Sequence, residues 1–192
     1  MDKRIIKTKN NIKQTLIKML GEKRFEEITI KELCEVAQTS RITFYTHYSD
    51  KSELANDIFE DMHKIAVEEY HRLQSENNPL GDIVGDYINV LDCILNVYYK
   101  NYDFFCHTKE NVSPTLNYMY FKIIDDSIRA KAEKDKDRLN PRFPLSMTCD
   151  FICSGIKGFI SAGRRNNMTY EEIHPMAREL LKSLLENEIV RK

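Results

Sequence analysis

The chain is 192 residues long, with 42% hydrophobic residues, 31% charged residues and a formal net charge of −1. That composition gives room for a buried core in one domain or two small ones, and it excludes a disordered tail. No apolar run approaches the roughly 18 residues a membrane span requires. The opening MDKRIIKTKNNIK lacks the apolar stretch of a secretory leader, so the expectation is a cytoplasmic protein with no membrane partner. Charge is unevenly spread: residues 1–51 hold eleven Lys/Arg against seven Asp/Glu, a balance of +4, and the remainder carries −5. A basic head on an acidic body suits a head that meets phosphate.

Long Leu/Ile/Lys/Glu-rich runs with few glycines and prolines predict an all-α chain of about nine helices. Ile12, Leu16 and Leu20 recur every fourth residue in a first helix over 3–20, which Gly21 ends. Phe25 and Ile28 pack a short connector. Thr29 and Glu32 form a capping box ahead of a second helix that buries Leu33, Cys34 and Ala37. Gln38 and Thr39 make a turn, Ser40 caps a third helix, and Phe44 and Tyr48 point back to the core. Asp50 caps a fourth helix over 51–74, with Leu54, Ile58, Met62 and Ile65 inward.

SENNPLG (75–81) breaks the chain, and a broad apolar stripe from Ile83 to Tyr98 makes a fifth helix. A short helix over 102–109 follows, then one opened by Pro114. The charge run KAEKDKDR (131–138) reads as a solvated helix end or loop. The eighth helix, 145–166, is apolar nearly all round and holds Gly155 and Gly158. Thr169 and Glu172 cap the last one, with Ile173, Ala177, Leu180, Leu181, Leu184 and Leu185 as its stripe.

The most informative stretch is IKELCEVAQTSRITFYTHYSDK, residues 30–51. A two-turn helix dense in hydrogen-bond donors, braced by an amphipathic helix, is the layout for placing side chains in the major groove of DNA. Tyr45 and His47 can donate to phosphate oxygens, as can Lys51 and the backbone N–H groups at the N-caps Thr29 and Ser40. Arg41 suits a bidentate contact to guanine, and Thr43 offers a methyl or a hydroxyl. Ile42 is apolar and outward by phase; it either packs on a thymine methyl or is exposed without consequence. Thr39 in the turn and Lys31 at the start of the second helix complete the candidate set. Lys3, Arg4, Lys7 and Lys9 either reach adjacent phosphates or form a solvated end.

Residues 16–60 resemble the N-terminal domain of TetR/AcrR-type bacterial regulators. The resemblance rests on Gly21 and Phe25, on Thr29, on the run Ser40-x-x-Thr43-Phe44-Tyr45-x-His47-Tyr48, and on Lys51-x-x-Leu54. Two positions depart from the family pattern: Gln38 stands where glycine is usual, and Tyr48 replaces a common Phe, so its hydroxyl must find a polar partner. The resemblance implies an N-terminal three-helix helix-turn-helix domain, here 1–50, and a C-terminal helical effector-binding and dimerisation domain, 51–192. It further implies a homodimer on a palindromic operator in double-stranded DNA, acting as a repressor, with an unknown small-molecule effector moving the fourth helix. The eighth and ninth helices would make the dimer bundle. Gly155 and Gly158 would permit close helix approach there, with Phe151, Phe159, Leu181 and Leu184 beside them.

An effector pocket is expected from Tyr87, Tyr98, Tyr102, Phe105, His107 and Tyr120, which can equally be ordinary core. YYKNYDFFCHT (98–108) resembles a Gram-positive subgroup of the family's C-terminal domains, and this names no ligand. The chain has no phosphate-binding glycine loop, no HExxH and no nucleophile elbow, so no enzyme is expected. Five cysteines without a CxxC are expected as inert thiols, with no metal and no cofactor. The alternatives are a thiol-based redox sensor and a co-regulator whose body binds a partner protein.

Overall fold

Apolar side chains at three- and four-residue spacing, with glycine and proline confined to the joints, leave this chain little option but helix. The computed structural model describes residues 3–109 and 111–189, with the side chains of 188 and 189 outside that description. Ten α-helices occur among the described residues: α1 Lys3–Leu20, α2 Ile30–Val36, α3 Arg41–His47, α4 Lys51–Asn77, α5 Ile83–Lys100, α6 Tyr102–Phe105, α7 Pro114–Lys134, α8 Lys136–Leu139, α9 Leu145–Arg165 and α10 Tyr170–Leu184. Short 3-10 turns at Phe25–Glu27 and Cys106–Thr108 join some of them, and a π turn, Leu185–Ile189, follows α10. Among the described residues no helix is long and apolar enough to cross a membrane.

Two compact units divide the chain: Met1–Lys64 with Asn101–Ile123, and Ile65–Lys100 with Ile124–Lys192. The residues expected to form the body are thus shared between the two, and α4 and α7 each contribute to both.

In the first unit Ile12 and Leu16 of α1, Leu33 of α2, Phe44 of α3, and Leu54 and Ile58 of α4 are fully buried, together with Phe25 and Ile28 of the connector. The later segment belongs to the same unit. Phe59 meets Phe104 at 5.4 Å between ring centroids, and Phe105 lies 4.7 Å from Tyr120. Ser113 donates to the Glu26 carboxylate at 2.8 Å, and Arg24 Nη2 to the Asn111 carbonyl at 3.0 Å.

A polar network crosses from α1 to α4. The Tyr48 hydroxyl donates to Asp57 at 2.8 Å, and Asp57 is also paired with Lys9 and with buried Lys13, each at 2.9 Å. Lys13 reaches Asp61 as well. The Tyr48 phenol thereby has the polar partner its place in the core demands, and Lys9 is an internal brace of α1, with its ammonium also 5.1 Å from the Tyr48 ring centre.

The second unit is built on Ile88, Leu91 and Leu95 of α5, Ile156 of α9, and Ala177 and Leu181 of α10, closed by Leu185. A Cβ on Gly163 would lie 2.8 Å from the Ile173 side chain, so this glycine permits α9 and α10 to approach closely. Two buried carboxylates are matched by cations distant in sequence. Asp86 pairs with Arg138 at 3.0 Å and with Lys131 at 3.7 Å, and accepts from Tyr70 at 3.1 Å. Asp92 faces His174 at 2.8 Å and pairs with Arg178.

Several expectations are corrected here. The charge run 131–138 is a largely exposed helix end, as expected, but Lys131, Asp135 and Arg138 join the Asp86 cluster and Lys136–Leu139 form a separate short helix, α8. This adds a tenth helix. Ile65, expected inward, is exposed, and Leu73 is the buried apolar residue towards the end of α4. The stripe on α10 is largely satisfied within its own chain: Leu181, expected at a dimer interface, is 5% exposed in the core with Ala177 and Leu185.

Burial opposes charge on Asp57, but hydrogen bonds from Lys9, Lys13 and Tyr48 outweigh it and hold the carboxyl at about 2. The folded value lies below the unfolded one, so this contribution is complete above roughly pH 4 and is lost as pH falls towards 2. Asp57→Asn should cost about 1–3 kcal/mol at neutral pH. In urea denaturation, the gap between variant and unmodified protein should close as pH is lowered through that window; a gap of constant size would refute the network's role.

Candidate nucleic-acid interface

Helices α2, α3 and α4 are each started by a side chain that satisfies one or more of their first N–H groups. Thr29 Oγ1 accepts from the Glu32 amide at 3.2 Å, and Glu32 returns the bond to the Thr29 amide at 3.1 Å. Hydrogen bonding from Lys23, then from Thr29, holds the Glu32 carboxyl at about 2. Ser40 Oγ accepts from the Thr43 amide at 2.9 Å, and Asp50 caps α4 through the Ser52 and Glu53 amides at 2.7 and 2.8 Å. Asn11 of α1 donates to the Ala37 carbonyl at 2.7 Å and closes the end of α2. That tertiary cap has no local sequence signal.

Gln38 takes the left-handed conformation, with φ of 50°. Glycine takes this conformation freely, whereas a side chain there costs roughly 1–2 kcal/mol. The chain then reverses through the Thr39 amide, which donates to the Cys34 carbonyl at 3.0 Å.

The third helix is anchored on one side and open on the other. Phe44 and Tyr48 are buried, whereas Arg41, Ile42, Tyr45 and Thr46 are exposed, Ile42 at 82% and Tyr45 at 56%. Thr43 and His47 are half-buried. The Tyr45 ring stands edge-on to Phe44 at 5.5 Å, which directs its phenol outward. Arg41, Ile42, Thr43, Tyr45 and His47 therefore share one short helix, with Ser40 at its cap and Thr39 immediately before it. Lys31 lies on the exposed side of α2, 4.0 Å from Glu35. Sequence reasoning missed the exposed Val36 and Thr46; Thr46 was detectable by phase, since it lies opposite the midpoint of Phe44 and Tyr48.

Lys51 is placed differently from the expectation. Its ammonium donates to the carbonyls of Phe25, Ile28 and Glu26 at 2.5, 2.8 and 3.1 Å, and it lies 4.6 Å from the Phe25 ring centre. Burial holds its pKa below the ordinary lysine value. All three donor protons are thus engaged in tying α4 to the connector before α2.

The expected pocket residues fall in both units. Phe105, Tyr120, Tyr102 and His107 belong to the first. Phe105 is fully buried against Tyr120, while Tyr102 is exposed with Lys109 5.9 Å from its ring centre. Burial, with Lys109 nearby, holds His107 below its usual value. Tyr87 and Tyr98 belong to the second unit. Lys131 lies 5.2 Å from the Tyr87 ring centre, and the Arg164 guanidinium is 4.2 Å from that of Tyr98.

Of the expected dimer residues, Phe151, Gly155 and Gly158 are exposed on α9, and Phe159 and Leu184 are half-buried. Open space surrounds Gly155 and Gly158. Among the described residues no group of three or more His, Cys, Asp or Glu side chains is placed to hold a metal ion.

This architecture has solved counterparts. A TetR-family transcription regulator from Marinobacter aquaeolei VT8 superposes with a TM-score of 0.63 at 12% identity, over the whole of both chains (100% and 100%). A Syntrophomonas wolfei protein assigned to the TetR-family transcriptional regulators gives a TM-score of 0.75 at 16% identity, covering 97% of this chain and 98% of that one. The chain has the TetR-family fold. A transcriptional regulator of the TetR/AcrR family from Aquifex aeolicus VF5 shares it at a TM-score of 0.56 and 23% identity, with 93% and 98% coverage. No family model matches the chain. YxbF of Bacillus subtilis, an uncharacterized HTH-type transcriptional regulator, is 37% identical over 51 residues; these are 27% of this chain and only 13% of that relative's length.

Within this TetR fold, Lys51→Met should strand three carbonyls and lower stability by about 1–3 kcal/mol, read as a lower urea midpoint. The salt dependence of any DNA binding should stay unchanged; a slope shallower by about one unit would show that Lys51 leaves its carbonyls for a phosphate.

Proposed function

We propose that the protein is a homodimeric, sequence-specific DNA-binding transcriptional regulator that represses from a palindromic operator and is released by a small-molecule effector. The observation that carries the reading is the outward surface of α3, where Arg41, Tyr45 and half-buried His47 surround exposed Ile42 on a helix anchored by Phe44 and Tyr48. Tyr45 and His47 donate to phosphate oxygens and set register; the Thr29 and Ser40 caps and Lys31 stand near the same backbone. Arg41 reads guanine through O6 and N7, and Thr43 and Thr39 complete the contact set.

Dimerisation is supported by α9. Met147, Phe151, Gly155 and Gly158 fall on one helical face, and the first two are 66% and 62% exposed. Large apolar side chains in open water beside two glycines suit a partner helix at close range, with Phe159 and Leu184 at the margin. A two-fold pair of heads implies a palindromic site. The effector would act through α4, which contributes to both units. A thiol sensor fits poorly: burial pushes the Cys93 and Cys153 thiols up to about 12 and raises Cys149 too, so they are protonated at neutral pH.

Selection of bound duplexes from a random pool, repeated with metabolite extracts, tests this reading. A palindromic consensus is expected. Arg41→Ala should relax preference at one position per half-site by about 1–3 kcal/mol, Tyr45→Phe should weaken all sequences alike, and Phe151→Asp should yield monomers by sedimentation. A monomeric parent protein with no preference among duplexes would overturn it.

A further inference from the structure

The crest of α3 is apolar, which composition does not reveal because two of its three residues are threonines. A rotation of about 100° per residue places Ile42 and Thr46 opposite the buried pair Phe44 and Tyr48, with Thr43 next to them. Both threonine hydroxyls are turned back on the protein. Thr46 Oγ1 donates to the Ile42 carbonyl at 2.8 Å, and Thr43 Oγ1 is hydrogen-bonded to Ser40 Oγ at 2.8 Å. With its proton committed, exposed Thr46 offers its methyl as an apolar group one turn from the Ile42 side chain, which is itself 82% exposed. The hydrogen-bonding side chains lie to either side: Arg41 and Tyr45 on one flank, His47 on the other.

We propose that this aliphatic crest reads thymine 5-methyl groups, so that each operator half-site presents thymine under Ile42 and Thr46. The inference rests on the DNA-binding reading above and goes beyond it by naming the base chemistry. The thymine methyl is the apolar group on the base edges of the major groove, where guanine offers two acceptors and cytosine an amino donor. Ile42 pressed against guanine or cytosine would remove those polar groups from water without replacing their partners. Against a methyl it buries apolar surface on both sides. Ile42 and Thr46 are about 6 Å apart along the helix, and base pairs rise about 3.4 Å, so the two side chains can meet methyls on neighbouring or next-neighbouring pairs. Arg41, on the flank, supplies a guanine contact beside the thymines.

The test removes only the methyl. Uracil keeps every hydrogen-bonding group of thymine, so the selected duplex is remade with uracil at one thymine at a time and titrated with the full-length protein. Binding should weaken roughly threefold to tenfold at the positions under the crest, and remain unchanged at thymines elsewhere in the site. Ile42→Ala and Thr46→Ser, both at exposed positions and the second retaining the hydroxyl bond, should each abolish the sensitivity at one position. A specific consensus that tolerates uracil at every thymine, or that has no thymine in its half-sites, overturns this inference and leaves the regulator standing. No preference among duplexes overturns both.

Discussion

The orientation of α3 depends on one carboxylate. A seven-residue helix cannot hold itself together in water, since nucleation is unfavourable and too few turns follow it. Its position is imposed from outside. Phe44 is buried beneath it, and Tyr48, at its end, donates to Asp57, which Lys9 and Lys13 hold from α1. Three helices therefore meet at a single acceptor. Their mutual angles, and with them the directions of Arg41, Ile42 and Tyr45, are held by charge-assisted hydrogen bonds in addition to packing.

The same network changes the meaning of the head's positive balance. Of its lysines, Lys9 and Lys13 neutralise Asp57 and Asp61, and Lys51 is engaged by backbone carbonyls. Three of the charges that make residues 1–51 basic serve the fold. The second unit uses its charges likewise: Asp86 and Asp92 are buried and matched by Arg138, Lys131 and Arg178. Breaking such a pair by removing one partner leaves an uncompensated buried charge, so these contacts specify which helices meet even where they add little net stability.

Much of the architecture was legible because it is local. The capping boxes at Thr29 and Thr169, the Ser40 and Asp50 caps, and the turn at Gln38 each arise from groups within five residues of one another. Periodicity likewise identified Phe44 and Tyr48 as the buried side of α3. The errors have a common origin. The exposed Ile65, the internal Leu181 and the carbonyl-bound Lys51 all depend on partners far along the chain, and a hydrophobic or charged pattern does not state which surface will cover it. Glycine shows the same division: Gly155 and Gly158 stand open, whereas Gly163, unremarkable in sequence, is where α9 and α10 come together.

What the amino-acid order determined by itself is the set of helices, their starts and stops, and the buried side of each helix in the head, because helical hydrogen bonds, caps and side-chain phase all act over a few residues. What only the tertiary structure decided is which polar groups remain available to a ligand. Lys9 and Lys51 are committed to a carboxylate and to carbonyls that sequence distance hides. Availability is a property of the folded surroundings: a donor binds whichever acceptor the fold brings within reach, and what remains exposed is what no neighbour has claimed.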